Sequence, residues 1–406
     1  MSGPSTATNP LHERMNVVLL ASNQALFLIA AITVMTLSGV VGRDLAPSPT
    51  LATLPVALMM LGTVTVTLPA SLLMKRIGRR AGFLIGTIGG GVAGGAVAAV
   101  GVMTDSFLLF SLGNLLLGVY QAFAMYYRFA AADAASESFR SKAISLVMAG
   151  GVVAAFMGPW NANYGQALLS AVPQAGPYVI VTGLSVLATI LVGLLRIPPA
   201  AEPKGGPQRP MREIAARPRF AVALISAAVG YAVMILVMTA TPLAMRDAGF
   251  EMAQAAFVMQ WHVLGMFAPS FFTGSLIARF GVRRILGAGG FILLVSAATA
   301  ISGQTLVHFW VALVALGVGW NFLFIGGSTM LTALHTPDER GKVQGVNDLV
   351  VFGLVALGSF MAGTLLHQFG WAGLNVAVAP FVLLALTAVA WLSLRERTAE
   401  SATKAC

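Results

Sequence analysis

Twelve long apolar runs, separated by short polar or glycine- and proline-containing breaks, constrain the fold of this chain more than any other feature. Each run is close to the about 20 residues that a helix needs to cross a bilayer. The runs lie near residues 15–41, 51–74, 81–103, 107–131, 143–165, 177–196, 220–243, 253–278, 285–303, 307–332, 343–366 and 372–394. We therefore predict an all-α membrane protein whose 12 transmembrane helices form two six-helix bundles.

The composition agrees with this prediction and excludes several other classes of protein. Of the 406 residues, 57% are apolar and only 9% are charged, whereas a soluble domain carries roughly a quarter charged residues. Little sequence is left for a soluble catalytic domain, and no nucleophile-and-base pair lies in the apolar runs, so we expect no enzyme. The single cysteine, Cys406, excludes an intramolecular disulfide and a thiolate metal site within the membrane. The first apolar run is too long for the core of a cleaved signal peptide.

A stretch rich in proline and glycine divides the apolar runs into two sets of six. It predicts a flexible cytoplasmic linker. The predicted organisation is a cytoplasmic tail, an N-terminal bundle, the linker, a C-terminal bundle and a second cytoplasmic tail, at residues 1–14, 15–196, 197–219, 220–394 and 395–406.

Basic residues are distributed unevenly between the two sides of the predicted helices. With both termini placed inside, the outer loops hold only Arg43 and Arg246, and Arg128 lies at the end of the fourth run; the other basic residues fall in the tails and inner loops. Cytoplasmic loops retain Lys and Arg, so we predict a multi-pass membrane protein with both termini in the cytoplasm, which in a bacterium is a protein of the inner membrane. The net charge of +10 then reflects topology beside anionic lipid, and we expect no nucleic-acid partner.

Two short motifs recur about half a chain apart, which indicates an internal duplication. Lys75-Arg-Ile-Gly-Arg-Arg80 follows the second run, and Ala278-Arg-Phe-Gly-Val-Arg-Arg284 follows the eighth. The glycines of the two motifs are Gly78 and Gly281. Arg140-Ser-Lys142 and Arg340-Gly-Lys342 form a second related pair, before the fifth and eleventh runs.

On these motifs the chain resembles the major facilitator superfamily of transporters over almost its whole length. The family's loop motif, Gly followed by Asp-Arg-x-Gly-Arg-Arg, matches at Arg76, Gly78, Arg79 and Arg80, whereas Lys75 replaces its Asp and Ser71 its first Gly. The second copy matches at Gly274, Arg279, Gly281 and Arg283. The resemblance implies alternating access by two bundles, with gating or coupling roles for Arg76, Gly78, Arg79, Gly281 and Arg283.

Methionine and histidine recur at helical spacing in the seventh and eighth runs. Met234 and Met238 share one helix face, as do His262 and Met266, because residues four apart are neighbours on a helix. At about 1.5 Å per residue, these side chains lie roughly 9–20 Å below the outer surface. Thioether and imidazole ligands suit Cu(I) better than Mg²⁺ or Ca²⁺, although methionine is also a common core filler.

The two pairs resemble the paired motif of the CcoA-like copper importers, a branch of the superfamily that supplies copper for cbb3-type cytochrome oxidase. The resemblance implies copper import, with Met234, Met238, His262 and Met266 as transient ligands. Copper is then the transported substrate, no cofactor is expected, and a copper chaperone would be the partner of a monomeric transporter. A riboflavin-carrying branch of the superfamily is related to these importers and remains open.

The principal alternative keeps the fold and changes the cargo to a small organic molecule, such as riboflavin or a drug, moved by a proton gradient. Arg128, Asp133 and Asp348 are the charges in or beside spans four and eleven. Intramembrane charges are costly and often functional, so we predict coupling roles for Arg128 and Asp348. The alternative interpretation, without a functional role, is that all three side chains form ion pairs or extend toward the nearby cytoplasmic surface. A signalling protein would need an output module, which the linker and tails do not supply.

The glycine run Gly89-Gly-Gly-Val-Ala-Gly94 matches the dinucleotide-binding pattern only formally. It lies inside a predicted transmembrane helix and follows no strand, so the context of the motif is absent. We predict instead that these small residues let two helices pack closely.

Overall fold

A computed structural model describes residues 10–136, 139–197, 209–336 and 339–405. Every regular element within these ranges is a helix, which confirms the predicted all-α fold class. The α-helices are α1 Pro10–Leu45, α2 Leu54–Ile77, α3 Arg79–Ile85, α4 Ala93–Met103, α5 Phe107–Ala124, α6 Tyr127–Ala134, α7 Arg140–Tyr164, α8 Gly176–Gly193, α9 Met211–Ala215, α10 Pro218–Asp247, α11 Met252–Phe267, α12 Ser270–Phe280, α13 Val282–Ser302, α14 Leu306–Thr332 and α15 Arg340–Ala405. A π-helical segment, Gly86–Val92, joins α3 to α4, and short 3₁₀ segments occupy Pro49–Leu51, Gly165–Leu168 and Pro173–Ala175.

The lengths of the helices suit a membrane-spanning protein. In the described part of the chain, nine helical segments are long and apolar enough to cross a bilayer, or ten if the bent pair α11 and α12 is one span. The last segment covers the last two predicted runs. Between these runs, α15 is interrupted at Gly370, where φ is 66°. Glycine adopts this positive φ without strain, so the chain changes direction at the predicted boundary.

The eighth span is broken, which the sequence analysis did not predict. The helix bends by 41° between α11 and α12, and Pro269 lies at the break. Proline has no N–H to continue the helical ladder and clashes with the preceding turn. Main-chain carbonyl groups near the break therefore need other hydrogen-bond donors.

The contacts divide the chain into two compact units. Unit 1 comprises Met1–Val34 and Gly62–Glu202, and unit 2 comprises Met35–Leu61 and Pro203–Cys406. Residues 35–61 therefore count with unit 2, although the sequence analysis placed them in the N-terminal bundle. Within unit 2, the Thr53 hydroxyl accepts a hydrogen bond from the Gly363 N–H at 3.1 Å, and an added Cβ at Gly39 would lie 3.6 Å from the Thr239 carbonyl oxygen.

The core of unit 1 depends on close helix packing at glycines. A Cβ added to Gly90 would lie 2.4 Å from the Tyr120 main-chain nitrogen, and one added to Gly94 would lie 2.8 Å from that of Leu117. A Cβ added to Gly89, in contrast, would have no neighbouring atom within 4 Å. The prediction that this glycine run serves helix packing is confirmed, at the face that meets α5.

Candidate functional site

The first copy of the loop motif places a basic residue against a carboxylate. Gly78 joins α2 to α3 with φ at 87°, and Gly281 joins α12 to α13 with φ at 85°, so both turns need glycine. Arg79 Nη2 lies 2.5 Å from Asp133 Oδ2 at the end of α6. Arg76 is exposed. Asp133 therefore gives Arg79 an acidic partner in a motif whose own acid is replaced by Lys75.

The second copy uses a different carboxylate. Arg283 Nη1 lies 2.5 Å from Glu396 Oε2, and Arg219 Nε donates to Glu396 Oε1 at 2.7 Å. Glu396 thus joins the beginnings of α13 and α10 to the end of α15. The role of Glu396 could not be predicted from the sequence, because an acidic residue in this position has no local signal of a distant partner.

The predicted coupling residues lie in partly exposed positions. The Arg128 guanidinium lies 4.7 Å from the centre of the Phe129 ring, which is within the range of a cation–π contact. Asp348 is half-buried on α15 and accepts a hydrogen bond from Asn347 Nδ2 at 3.1 Å. Their coupling roles stay predictions.

The four predicted copper ligands are all buried in unit 2. The exposed fractions are 1% for Met234, 4% for Met238, 0% for His262 and 7% for Met266. His262 Nδ1 lies 2.7 Å from the Leu313 carbonyl oxygen; because a carbonyl only accepts, Nδ1 carries the proton. His262 Nε2 is buried with no hydrogen-bond partner among the described residues.

Asn321 of α14 forms hydrogen bonds with residues on both sides of the break in the eighth span. Its Nδ2 donates to the Met266 carbonyl oxygen and to Ser270 Oγ, each at 2.7 Å. Its Oδ1 accepts from the Thr273 hydroxyl at 2.7 Å. The side chain is fully buried, and these contacts tie α11 and α12 to α14. This role could not be predicted from the sequence, since one polar residue in an apolar run does not reveal its partner.

An aromatic cluster occupies the same unit, directly beside Asn321. The Tyr231 ring of α10 lies 5.4 Å from Trp320, 5.3 Å from Phe324 and 5.6 Å from Phe352, measured between ring centres. Trp320 and Phe324 are stacked at 5.2 Å, and Phe267 lies 6.4 Å from Trp320. These separations are typical of favourable ring pairs. We call these five residues, which come from α10, α11, α14 and α15, the aromatic wall.

The wall has a buried part and an accessible part. Trp320 and Phe352 are each 6% exposed, whereas Tyr231, Phe324 and Phe267 are partly exposed. The indole Nε1 of Trp320 is buried and has no hydrogen-bond partner in the described structure. The indole Nε1 atoms of Trp310 and Trp371 share this condition in the described structure, but Trp320 is the one that belongs to the aromatic wall, where a buried donor without an acceptor calls for an explanation.

Two adjacent ion pairs connect α1 to α10 within unit 2. Arg43 pairs with Asp247, and Arg246 Nη1 lies 2.7 Å from Asp44 Oδ1. Each helix end carries a basic residue followed directly by an acidic one. The basic residue of each helix pairs with the acidic residue of the other. These contacts join the only two basic residues of the predicted outer loops to carboxylates.

Arg209 of the predicted linker and Glu339 of the predicted loop before the eleventh run form a hydrogen-bond network. Arg209 donates from Nε to Glu339 Oε1 at 2.7 Å and from Nη2 to Oε2 at 2.6 Å. The Thr336 N–H also donates to Glu339 Oε2. These donors, that of Arg209 foremost, hold the pKa of Glu339 well below its usual range.

The spans, the repeated loop motif and the buried glycine contacts define a multi-pass membrane transporter fold. The chain matches the family model of the Major Facilitator Superfamily over residues 19–260 and 222–405, and it belongs to that superfamily. Among solved structures, it resembles a bacterial homologue of the human lysosomal transporter Spinster, inward-facing and occupied, with a TM-score of 0.71 and 18% identity over 96% of this chain and 98% of that one. The nucleoside transporter NupG gives a TM-score of 0.71 at 14% identity, over 92% and 98% of the two chains. At these identities the likeness concerns the fold alone.

Two relatives are similar in sequence over most of their length. The riboflavin transporter RfnT of Brucella anthropi is 44% identical over 382 residues, which are 93% of this chain and 96% of that protein. The uncharacterized MFS-type transporter YdeG of Bacillus subtilis is 28% identical over 374 residues, which are 88% and 87% of the two proteins.

The predicted import of copper is therefore wrong. The full-length similarity is to a riboflavin transporter, not to a copper importer. Physically, the shared spacing of Met234 with Met238 and of His262 with Met266 fits buried helix packing, in which methionine fills irregular gaps.

Proposed function

We propose that this chain transports riboflavin across a bacterial cytoplasmic membrane by alternating access. The observation that carries the proposal is the 44% identity to RfnT over nearly the full length of both proteins. The match covers 93% of this chain, so it includes most of the residues in the helices that would contact a substrate. The organic-cargo alternative of the sequence analysis is thereby favoured over a metal ion.

The chemistry of unit 2 supports the same cargo. Riboflavin has a flat tricyclic ring and an uncharged polyol chain. A flat ring leaves water favourably for an aromatic surface, and the aromatic wall provides one with three partly exposed rings, those of Tyr231, Phe324 and Phe267. An uncharged substrate also needs no ionic partner in the membrane.

Counterflow in proteoliposomes tests the proposal without assuming a direction of transport. Vesicles containing the full chain are loaded with unlabelled riboflavin and diluted into a trace of labelled riboflavin. We expect transient accumulation of label above equilibrium, absent from protein-free vesicles and abolished when the interior is empty. Accumulation indistinguishable from protein-free vesicles would refute the proposal. Growth of a riboflavin-requiring bacterial strain on low external riboflavin provides the cellular counterpart.

The proposal includes the topology that the basic residues indicate. Both termini and the linker lie in the cytoplasm, and Arg43 and Arg246 lie at the periplasmic ends of their spans. The transporter is a monomer, needs no cofactor and catalyses no covalent reaction. Reporter fusions to a periplasm-active phosphatase test the topology: a fusion after residue 47 is expected to be active and one after residue 405 inactive.

A further inference from the structure

The accessible rings of the aromatic wall lie on helices whose neighbouring side chains are largely buried. Tyr231 is partly exposed in a stretch of α10 where Val229, Gly230, Val233 and Met234 are buried. An aromatic residue on an outward face is more exposed: Phe291 on α13 is 64% exposed. A partly exposed ring on a mostly buried helix is expected to face an internal space.

The wall also holds its rings in fixed positions. Trp320 contacts Tyr231, Phe324 and Phe267, and its own ring is almost completely buried. The residue that follows it, Asn321, is fixed by three hydrogen bonds. A ligand that stacks on such rings loses little free energy in ordering them, which is the advantage of a preorganised site.

Trp320 adds one polar feature to this apolar surface. Its indole N–H is a donor only, and it is buried without an acceptor among the described residues. The N–H has almost no accessible surface in this conformation, so a flat ring whose edge carries carbonyl oxygens or ring nitrogens would supply the acceptor once the side chains that cover the N–H move aside. Aliphatic cargo would leave the donor unpaired, at the usual cost of a buried unsatisfied group.

We propose that Tyr231, Phe324 and Trp320 form the subsite that binds the tricyclic ring of the substrate, with the Trp320 N–H donating to an acceptor at the edge of that ring. This assignment rests on the proposed riboflavin transport. It makes the ring, rather than the polyol chain, the part of the substrate that unit 2 recognises.

The test compares ligands and variants by equilibrium binding to the purified full-length protein, followed through quenching of flavin fluorescence. The ligands are riboflavin, lumiflavin, which has the ring without the chain, and ribitol, which has the chain without the ring and is used as a competitor. The variants are Phe324→Leu, Tyr231→Leu and Trp320→Phe, and Phe291→Leu is the matched control on an exposed face.

We expect Phe324→Leu and Tyr231→Leu to raise the Kd of riboflavin and of lumiflavin by about tenfold each, a loss typical of one aromatic stacking contact. Trp320→Phe keeps a ring and removes the N–H, so we expect a rise of about threefold or more together with a shifted absorption band of the bound flavin. Ribitol is expected not to compete, and Phe291→Leu is expected to bind like the wild type.

The outcomes separate the subsite from the proposed function. Wild-type protein that binds and moves riboflavin, with unchanged Kd in all three wall variants, overturns the subsite and leaves riboflavin transport standing. Wild-type protein that does not move riboflavin contradicts the proposed function, and weakened lumiflavin binding in Phe324→Leu would then still support the ring subsite. Tyr231→Phe, which keeps the ring, should bind normally; if it fails as Tyr231→Leu does, stacking is not the cause.

Discussion

Asn321 Nδ2 lies 2.7 Å from the Met266 carbonyl oxygen, where a proline interrupts the eighth span. Pro269 has no N–H to donate to the Gly265 carbonyl group four residues earlier, so the helical hydrogen-bond ladder is interrupted next to Met266. Asn321 supplies a donor from another helix and is itself fully satisfied. The bend between α11 and α12 is therefore held in place by α14, the same helix that carries Trp320 and Phe324.

Removal of the Asn321 amide is expected to destabilise the protein. Asn321→Ala leaves the Met266 carbonyl group without this donor in a buried environment, and a loss of about 1–3 kcal/mol in the free energy of unfolding is expected. Unfolding of the detergent-solubilised protein measures it. Asn375→Ala is a matched control, because buried Asn375 donates only within its own helix, to Trp371. Equal losses in the two variants would show that the interhelical contact has no special weight.

The ion pairs between α1 and α10 predict a charge-reversal experiment. Arg43→Asp places two carboxylates together and is expected to slow transport by weakening the contact of the helix ends; adding Asp247→Arg restores the attraction. Because both side chains are partly exposed, the coupling energy is expected to be only about 0.2–1 kcal/mol and to fall with salt. A double-mutant cycle on unfolding and transport rate measures it. Failure of the double variant to recover over either single one would contradict the pairing.

Gly90 and Gly89 offer a test of helix packing at neighbouring positions. Gly90→Ala would bring a methyl group against the Tyr120 backbone, so overpacking by about 1–3 kcal/mol is expected. Gly89→Ala meets open space and is expected to be neutral or slightly stabilising, since alanine favours helix. Thermal unfolding of the two variants compares them directly, and a tolerated alanine at Gly90 would mean that the helices can separate there without cost.

The apolar runs allowed the fold to be predicted, because a helix in lipid must satisfy its own backbone and so needs one long apolar segment. The break at Pro269 was missed for a related reason. Its stability comes from Asn321, which is remote in sequence and looks like any polar residue in a span. Gly370, by contrast, coincides with a predicted boundary because polar and glycine residues mark it locally.

The candidate site could be predicted only in part. Spacing showed that Met234 and Met238 share a helix face, but the residues on one face can bind a ligand or pack against a neighbour. The aromatic wall was not predicted, because Tyr231 and Phe352 lie on different spans. The contact between their rings depends on how each helix is rotated about its own axis. Cargo identity depends on such contacts between spans, which explains why the fold was correct and the copper prediction was not.

The buried methionines are expected to tolerate apolar replacement. Met238→Leu conserves size and apolar character, so a loss below about 1.5 kcal/mol is expected, with riboflavin transport retained. Copper added at equal concentration is expected neither to compete with riboflavin nor to be retained by the purified protein. Transport of riboflavin and metal content are measured on the same preparation, beside the wild type. A loss of riboflavin transport with normal folding would give Met238 a direct role in the transport cycle.

The network of Arg209 and Glu339 predicts a dependence of stability on acid. The guanidinium of Arg209, followed by the Thr336 N–H, lowers the pKa of Glu339 from its ordinary value of about 4.5. A carboxyl group with a lowered pKa in the folded state stabilises that state fully above its unfolded pKa, and the contribution falls as the pH drops from there toward the folded value.

Thermal unfolding of the full chain between pH 7 and pH 3 measures this contribution. Wild-type stability is expected to fall below about pH 4.5, and Glu339→Gln is expected to be less stable at pH 7 and to lose part of that pH dependence. Asp105→Asn is the control, because Asp105 is exposed and takes part in no ion pair among the described residues. Parallel pH profiles for wild type and Glu339→Gln would contradict the contribution of this network, since removal of the carboxyl group removes its titration.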